Sequence, residues 1–178
     1  PIAGKSTFIN PVTNAPANVG SDAFTTTRPQ LGVVSHRGRE FVVADIPGLI
    51  EGAAEGAGIG DRFLGHIERC RVLLHLVDAN DADVATSFAI VRDELDSYGA
   101  GLADKPFVVA LNKVDMLDAE LTGAIGAELE AAAGQEVLAI SAAAATGLQP
   151  LLDALATHLD EPEAAADADA GEGSWSPL

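Results

Sequence analysis

A single cysteine, Cys70, rules out an intrachain disulfide framework and a cysteine-rich zinc site, and a reduced, cytoplasmic setting is the simplest fit. Core filler is the ordinary role for such a thiol. Basic side chains are scarce as well. Ten Lys and Arg stand against 27 Asp and Glu, and the net charge of −17 opposes non-specific attraction to nucleic-acid backbones and to anionic lipid. No DNA partner and no membrane partner are expected, and contact with RNA would need a local basic patch or further polypeptide. No apolar stretch approaches the roughly 20 residues that a bilayer-spanning helix takes. No signal sequence precedes Pro1, although a chain that opens inside a motif says little about targeting. What remains, 178 residues of 48% apolar composition, is enough for one sizeable core, and one monomeric globular domain is the expectation.

The order of elements points to an α/β, doubly wound, mostly parallel sheet with one antiparallel hairpin strand. A short helix is expected over residues 6–14, then a polar loop through Pro29 rich in Gly, Pro and Asn. Residues 31–35 and 40–44 are β-rich runs around His36-Arg37-Gly38-Arg39, the pattern of a hairpin. Small residues and glycines fill residues 47–60, and a helical pattern resumes at 61–70. The runs at 72–77, 107–111 and 137–140 read as parallel strands buried on both faces. Helices are expected between and after them at 83–98, 119–133 and 147–159. From about residue 161 the chain is Ala, Asp, Glu and Gly, the composition of a disordered acidic tail, in which Trp175 is either incidental or a docking anchor.

Polar signals fall at the carboxyl ends of the strands, where ligands of open α/β sheets sit. Gly4-Lys5-Ser6-Thr7 matches the closing half of a phosphate-binding loop: backbone N–H groups wrap phosphates, Lys5 reaches the outer phosphates and Ser6 offers a hydroxyl to Mg²⁺. The same string also suits an ordinary capped helix start. Asp45-Ile46-Pro47-Gly48 places a carboxylate at a strand end, able to hold a Mg²⁺ water, and a glycine N–H near a terminal phosphate. A plain Asp-x-Pro-Gly turn explains it equally well. In Asn112-Lys113-Val114-Asp115 the Asp115 carboxylate can accept two hydrogen bonds from a guanine edge, a pattern adenine cannot supply. Asn112 can brace the loop, the Lys113 stem can cover the ring, and a backbone N–H at Ser141-Ala142 can donate to the guanine carbonyl. The competing role for Asp115 is a helix cap. Of the histidines, His75 falls in a buried strand and reads as a satisfied core residue, His36 lies in the hairpin turn, and His66 and His158 lie in helices; none has metal-ligand spacing.

Together these motifs resemble a small P-loop GTPase of the TRAFAC class. The string from Asp45 through Leu49-Ile50-Glu51-Gly52-Ala53 to Gly60, with Phe63, Leu64, His66, Ile67 and Glu68, resembles the Obg (CgtA) family. Phe24-Thr25-Thr26, then Pro29 and Leu31-Gly32-Val33-Val34, is similar to that family's first switch. The resemblance covers residues 1–160 as a GTP-binding domain, begins inside the phosphate loop, and implies a first, central strand that this chain does not carry. It implies GTP and GDP as ligands, Mg²⁺ as cofactor, slow GTP hydrolysis, and association with the large ribosomal subunit in ribosome assembly and growth control. Transferred by position, the nucleotide set is Pro1, Ile2, Ala3, Gly4, Lys5, Ser6 and Thr7; Phe24, Thr25, Thr26, Thr27 and Arg28; Asp45, Ile46, Pro47 and Gly48; Asn112, Lys113, Val114 and Asp115; and Ser141, Ala142 and Ala143. Lys5, Thr26 and Gly48 would act on the transferred phosphate, and Ser6 and Thr26 would ligate Mg²⁺, with Thr25 the alternative to Thr26. Leu49 stands where Ras-like enzymes carry a water-orienting Gln, which implies slow turnover. A truncated fragment acting only as an interaction module is the alternative to a working enzyme.

Overall fold

The structure is a computed structural model that describes residues 4–13, 15–16, 31–45, 70–99 and 101–160. Its elements in chain order are α1 (Lys5–Val12), β1 (Ala15–Pro16), β2 (Leu31–His36), β3 (Arg39–Ala44), β4 (Leu73–Asp78), α2 (Val84–Tyr98), β5 (Phe107–Asn112), a 3₁₀ turn (Val114–Met116), α3 (Ala119–Ala133), β6 (Val137–Ala139) and α4 (Leu148–Asp160). The helices and strands expected there from sequence form within two residues of the expected bounds at each end. The two-residue β1 was not anticipated. It pairs antiparallel with β2, and Pro16, which cannot donate to a ladder, is tolerated because β1 is an edge strand. His36, expected in the turn, is instead the last residue of β2, opposite Arg39.

Each helix has a local cause. Asp83 caps α2 by accepting from Thr86 N at 2.8 Å, and Asp118 caps α3 by accepting from Leu121 N at 2.7 Å. Gly134 ends α3 in the left-handed region, where glycine carries no Cβ penalty. In α4 the buried residues Leu148, Leu151, Leu152 and Leu155 follow the i, i+3, i+4, i+7 pattern of an amphipathic helix.

Strands β4, β5 and β6 form a parallel three-stranded sheet. Successive β5 side chains serve opposite faces: Val108 and Ala110 join α1 and α4 in one core, while Val109 and Leu111 join Phe88 of α2 and Leu129 of α3 in the other. Helices on both faces of a parallel sheet make the architecture doubly wound. Strands β1, β2 and β3 form a separate antiparallel sheet. Among the described residues β3 pairs only with β2 and β4 only with β5, and an apolar cleft of about 500 Å³ lined by Phe41–Asp45, Arg71–Leu76, α1, α2 and α4 separates the two half-sheets. Helix α4 spans them. Its Leu151, Leu152 and Leu155 share a core with Val34 of β2 and Val108 of β5, and Asp153 accepts from Arg37 Nη2 and contacts His36 Nε2, both at 2.7 Å. Asp160 pairs with Arg39.

Candidate functional site

The site is built where the carboxyl ends of β4 and β5 meet the start of α1. Gly4 precedes α1 with a left-handed backbone (φ 84, ψ 29), and its carbonyl accepts from Phe8 N at 2.9 Å. A Cβ there would lie 2.7 Å from Asn112 Nδ2, so a side chain at position 4 would collide with the amide and strain the backbone as well. Gly4 therefore backs directly onto Asn112, and the motif read as phosphate-binding meets the one read as guanine-binding. Asn112 is 1% exposed, and its Oδ1 accepts from Ala142 N at 2.9 Å. One buried amide thus joins three sequence signals: Gly4, residues 112–115, and Ser141-Ala142.

Around this joint the loops are held by their own backbone. Val114 N donates to Ile140 O at 3.2 Å, and Ser141 and Thr146 exchange N–H···O bonds at 3.0 Å. Ser141 Oγ accepts from Ala144 N at 3.0 Å, which turns residues 141–144 around the hydroxyl. Lys113 sits at φ 70, ψ 29, and the 3₁₀ turn that follows presents Asp115 exposed. The helix that begins nearby is capped by Asp118, which leaves the Asp115 carboxylate out of the capping role.

On the phosphate side, Lys5 Nζ lies 3.0 Å from Asp45 Oδ1, so the two charged groups expected to face phosphate and Mg²⁺ are already neighbours. Asp45 directly follows β3 and its carboxylate is mostly buried, yet Oδ1 makes no hydrogen bond of proper geometry. A buried carboxylate oxygen without a hydrogen bond, together with the exposed Ser6 at the head of α1, is a hard-oxygen donor set of the kind that suits Mg²⁺. Thr7 and Ala143 are exposed on the adjoining α1 and post-β6 segments. Pro1, Ile2, Ala3, Phe24, Thr25, Thr26, Thr27, Arg28, Ile46, Pro47, Gly48 and Leu49 lie outside the described residues, as do the helix over 61–69, His66, the tail and Trp175.

Two residues at this end of the sheet were not anticipated. Asp78 closes β4, and its carboxylate accepts from Lys113 Nζ at 2.5 Å, Asn80 N at 2.9 Å and Asn80 Nδ2 at 3.1 Å. Burial favours the neutral acid, but the Lys113 ammonium and the two Asn80 donors together outweigh it and hold the Asp78 carboxyl below the usual range. The signal was legible in principle, since Asp78 ends an apolar strand as Asp45 does.

Other titratable groups lie away from this joint. Cys70 packs beside Leu73, Leu95 and Leu102, and burial pushes its thiol pKa up, as fits core filler. His75 corrects the expectation of a satisfied core histidine: its Nδ1 is buried with no hydrogen bond, and burial and the Arg92 charge lower it to about 4. Among the described residues no three His, Cys, Asp or Glu side chains cluster as a metal site, and no helix is long and apolar enough to cross a membrane.

Comparison with known proteins agrees with this geometry. Residues 1–113 match the family model described as 50S ribosome-binding GTPase. The chain is 69% identical over 180 residues to a GTPase Obg of Sphingopyxis alaskensis and 60% identical over 178 residues to one of Rhizorhabdus wittichii, covering all of this chain and 52% of each relative. It therefore spans about half the length of the curated relatives it matches. The G domain of the T. maritima FeoB iron transporter superposes with TM-score 0.62 at 18% identity over 89% of this chain and 93% of that one, a likeness of fold. A nucleolar GTP-binding protein 1 from Plasmodium falciparum does so with TM-score 0.59 at 20% identity, over 89% and 81%. With Gly4, Asn112 and the Ser141 loop meeting at one buried amide, and with the family model matched over residues 1–113 of the 178, the chain belongs to the 50S ribosome-binding GTPases as a P-loop G domain of Obg type.

Proposed function

We propose that this chain is the guanine-nucleotide switch of an Obg-type protein, binding GTP and GDP with Mg²⁺ and hydrolysing GTP slowly. The observation that carries the reading is Asn112, whose amide contacts Ala142 N and backs onto Gly4, so that base and phosphate elements are fixed relative to one another. Lys5 serves the β and γ phosphates by charge, and the N–H groups at the start of α1 add to it. Its present partner, Asp45, keeps the ammonium at the strand end and releases it when phosphate, carrying more charge, arrives. Ser6, with Thr26 or Thr25 from the first switch, would ligate Mg²⁺ and Asp45 would hold one of its waters; the ion when bound offsets phosphate charge. Asp115 accepts from the guanine edge and, with Ala142 N–H already given to Asn112 Oδ1, the Ala143 N–H faces its carbonyl oxygen.

Hydrolysis is slow in this reading because Leu49 follows Gly48 where a hydrogen-bonding side chain would orient water. Catalysis then rests on phosphate positioning by Lys5, Gly48 and Thr26. Large-subunit association and a cytoplasmic setting are proposed from the family. With a net charge of −17, the RNA contacts are assigned partly to polypeptide outside this chain.

Calorimetric titration with GDP, GTP and ATP in Mg²⁺ tests the reading: guanine nucleotides bind and ATP does not. Equal affinity for ATP and GTP would sink the role of Asp115. A second reading, an interaction module without catalysis, is favoured by the cleft beside Lys5, Ala44 and Asp45, where among the described residues the edge of β3 away from β2 has no partner strand. Absence of any nucleotide binding supports it.

A further inference from the structure

Asp78 belongs to none of the nucleotide motifs, yet three donors converge on its carboxylate, and the strand register explains why. Parallel pairing sets Asp78 opposite Asn112, and Ala79 N donates to Asn112 O at 2.8 Å, so the end of β4 is locked beside the residue that precedes Lys113. The left-handed backbone at Lys113 starts the 3₁₀ turn, and its ammonium reaches back to Asp78. The Asp78 side chain is 11% exposed and that of Lys113 32%, so the pair is shielded on the aspartate side. Asn80 extends the cluster: besides its two bonds to Asp78, its Nδ2 contacts Met116 Sδ at 3.6 Å, which ties the loop after β4 to the turn that carries Asp115.

A lysine stem left in solvent samples many rotamers, and holding it against a ligand costs entropy. Here that order exists before any ligand arrives. A stabilising role alone is a weak account of the pair, because an ion pair half open to water adds little to folding and a buried one often adds nothing. We propose that Asp78 is a positioning residue for base recognition: held in place by the Asn80 donors, it grips the Lys113 ammonium and so pre-orders the lysine stem as a wall of the guanine site. The inference rests on the guanine reading of residues 112–115.

The test is a double-mutant cycle on the full chain, reading affinity and dissociation rate of a fluorescent GDP analogue. Asp78→Asn keeps the shape and removes the charge. It is expected to weaken binding about tenfold, mostly through faster dissociation, because less order is in place before binding. In a Lys113→Met background the same change should cost less than about twofold, since the group through which Asp78 acts is gone. Asp78→Glu, which restores the charge, should recover most of the lost affinity. Asn80→Ala serves if Asp78→Asn fails to fold; it should give a smaller loss that also vanishes beside Lys113→Met. Wild-type affinity in Asp78→Asn, or an equal loss in both backgrounds, overturns the proposal while leaving the guanine reading intact. If the wild-type chain binds neither GDP nor GTP, the guanine reading fails first and the role of Asp78 falls with it.

Discussion

Acidification should weaken this fold through one histidine. His75 lies in the middle of β4, its ring stacked on Phe88 with centroids 4.8 Å apart and 21° between planes, and its Nδ1 is buried without a hydrogen bond. Burial first, and then the Arg92 charge, lower its pKa to about 4. Arg92 is fixed there by its own contacts, with the guanidinium 4.3 Å from the Phe107 ring centre and Nη2 donating to Ala103 O at 2.7 Å. In the unfolded chain the imidazole returns to about 6.5. Between these two values the unfolded state binds the extra proton, so stability is full above about pH 6.5, falls as pH drops, and levels off below about 4. Linkage gives a loss of roughly 2 kcal/mol at pH 5 relative to pH 8, or about 4–8 °C in midpoint for a domain of this size. Thermal melts by circular dichroism at pH 8, 7, 6 and 5 on wild type and His75→Gln should show the wild-type midpoint falling by that much more than the variant's. Parallel pH profiles for the two would refute the reasoning, because carboxylates titrate equally in both.

The joint between motifs makes further predictions. Gly4→Ala should destabilise the chain by about 1–2 kcal/mol from the left-handed backbone alone. It should also weaken GDP binding more than tenfold by displacing the Asn112 amide, read by melts and calorimetry together. Asn112→Ala removes the acceptor of Ala142 N and should lower stability by about 1–3 kcal/mol in urea titration, even without nucleotide. Asp115→Asn, on an exposed turn, should leave stability within about 0.5 kcal/mol while reducing GTP affinity and improving that of xanthine nucleotides, whose 2-oxo group accepts where guanine donates.

Much of the fold was legible in the chain because the signals are local. Parallel strands show as short apolar runs, and Asp83, Asp118 and Gly134 mark helix ends where they act. Motif residues 4–7, 45 and 112–115 were legible for the same reason. Sequence did not disclose what depends on two distant elements meeting. The Asp78–Lys113 pair joins residues 35 positions apart, and the contacts of His36 and Arg37 with Asp153 span 117 and 116. No periodicity encodes such pairs, and surface charge hides them in a chain with 27 acidic residues. Strand β1 escaped because two residues, one of them proline, carry no alternation to read.

The cleft between the half-sheets has a consequence for how the molecule breathes. In a strand paired on one side only, every second amide has no carbonyl opposite it. Hydrogen exchange should therefore divide β3 and β4 residue by residue into slow amides, bonded to β2 or β5, and fast ones that face the cleft. The fast set would trace two facing rows of donors and acceptors across an apolar gap that α1 and α4 both line. Such rows are templates for backbone pairing, so an occupant of the cleft would first be visible as slowing of those alternate amides.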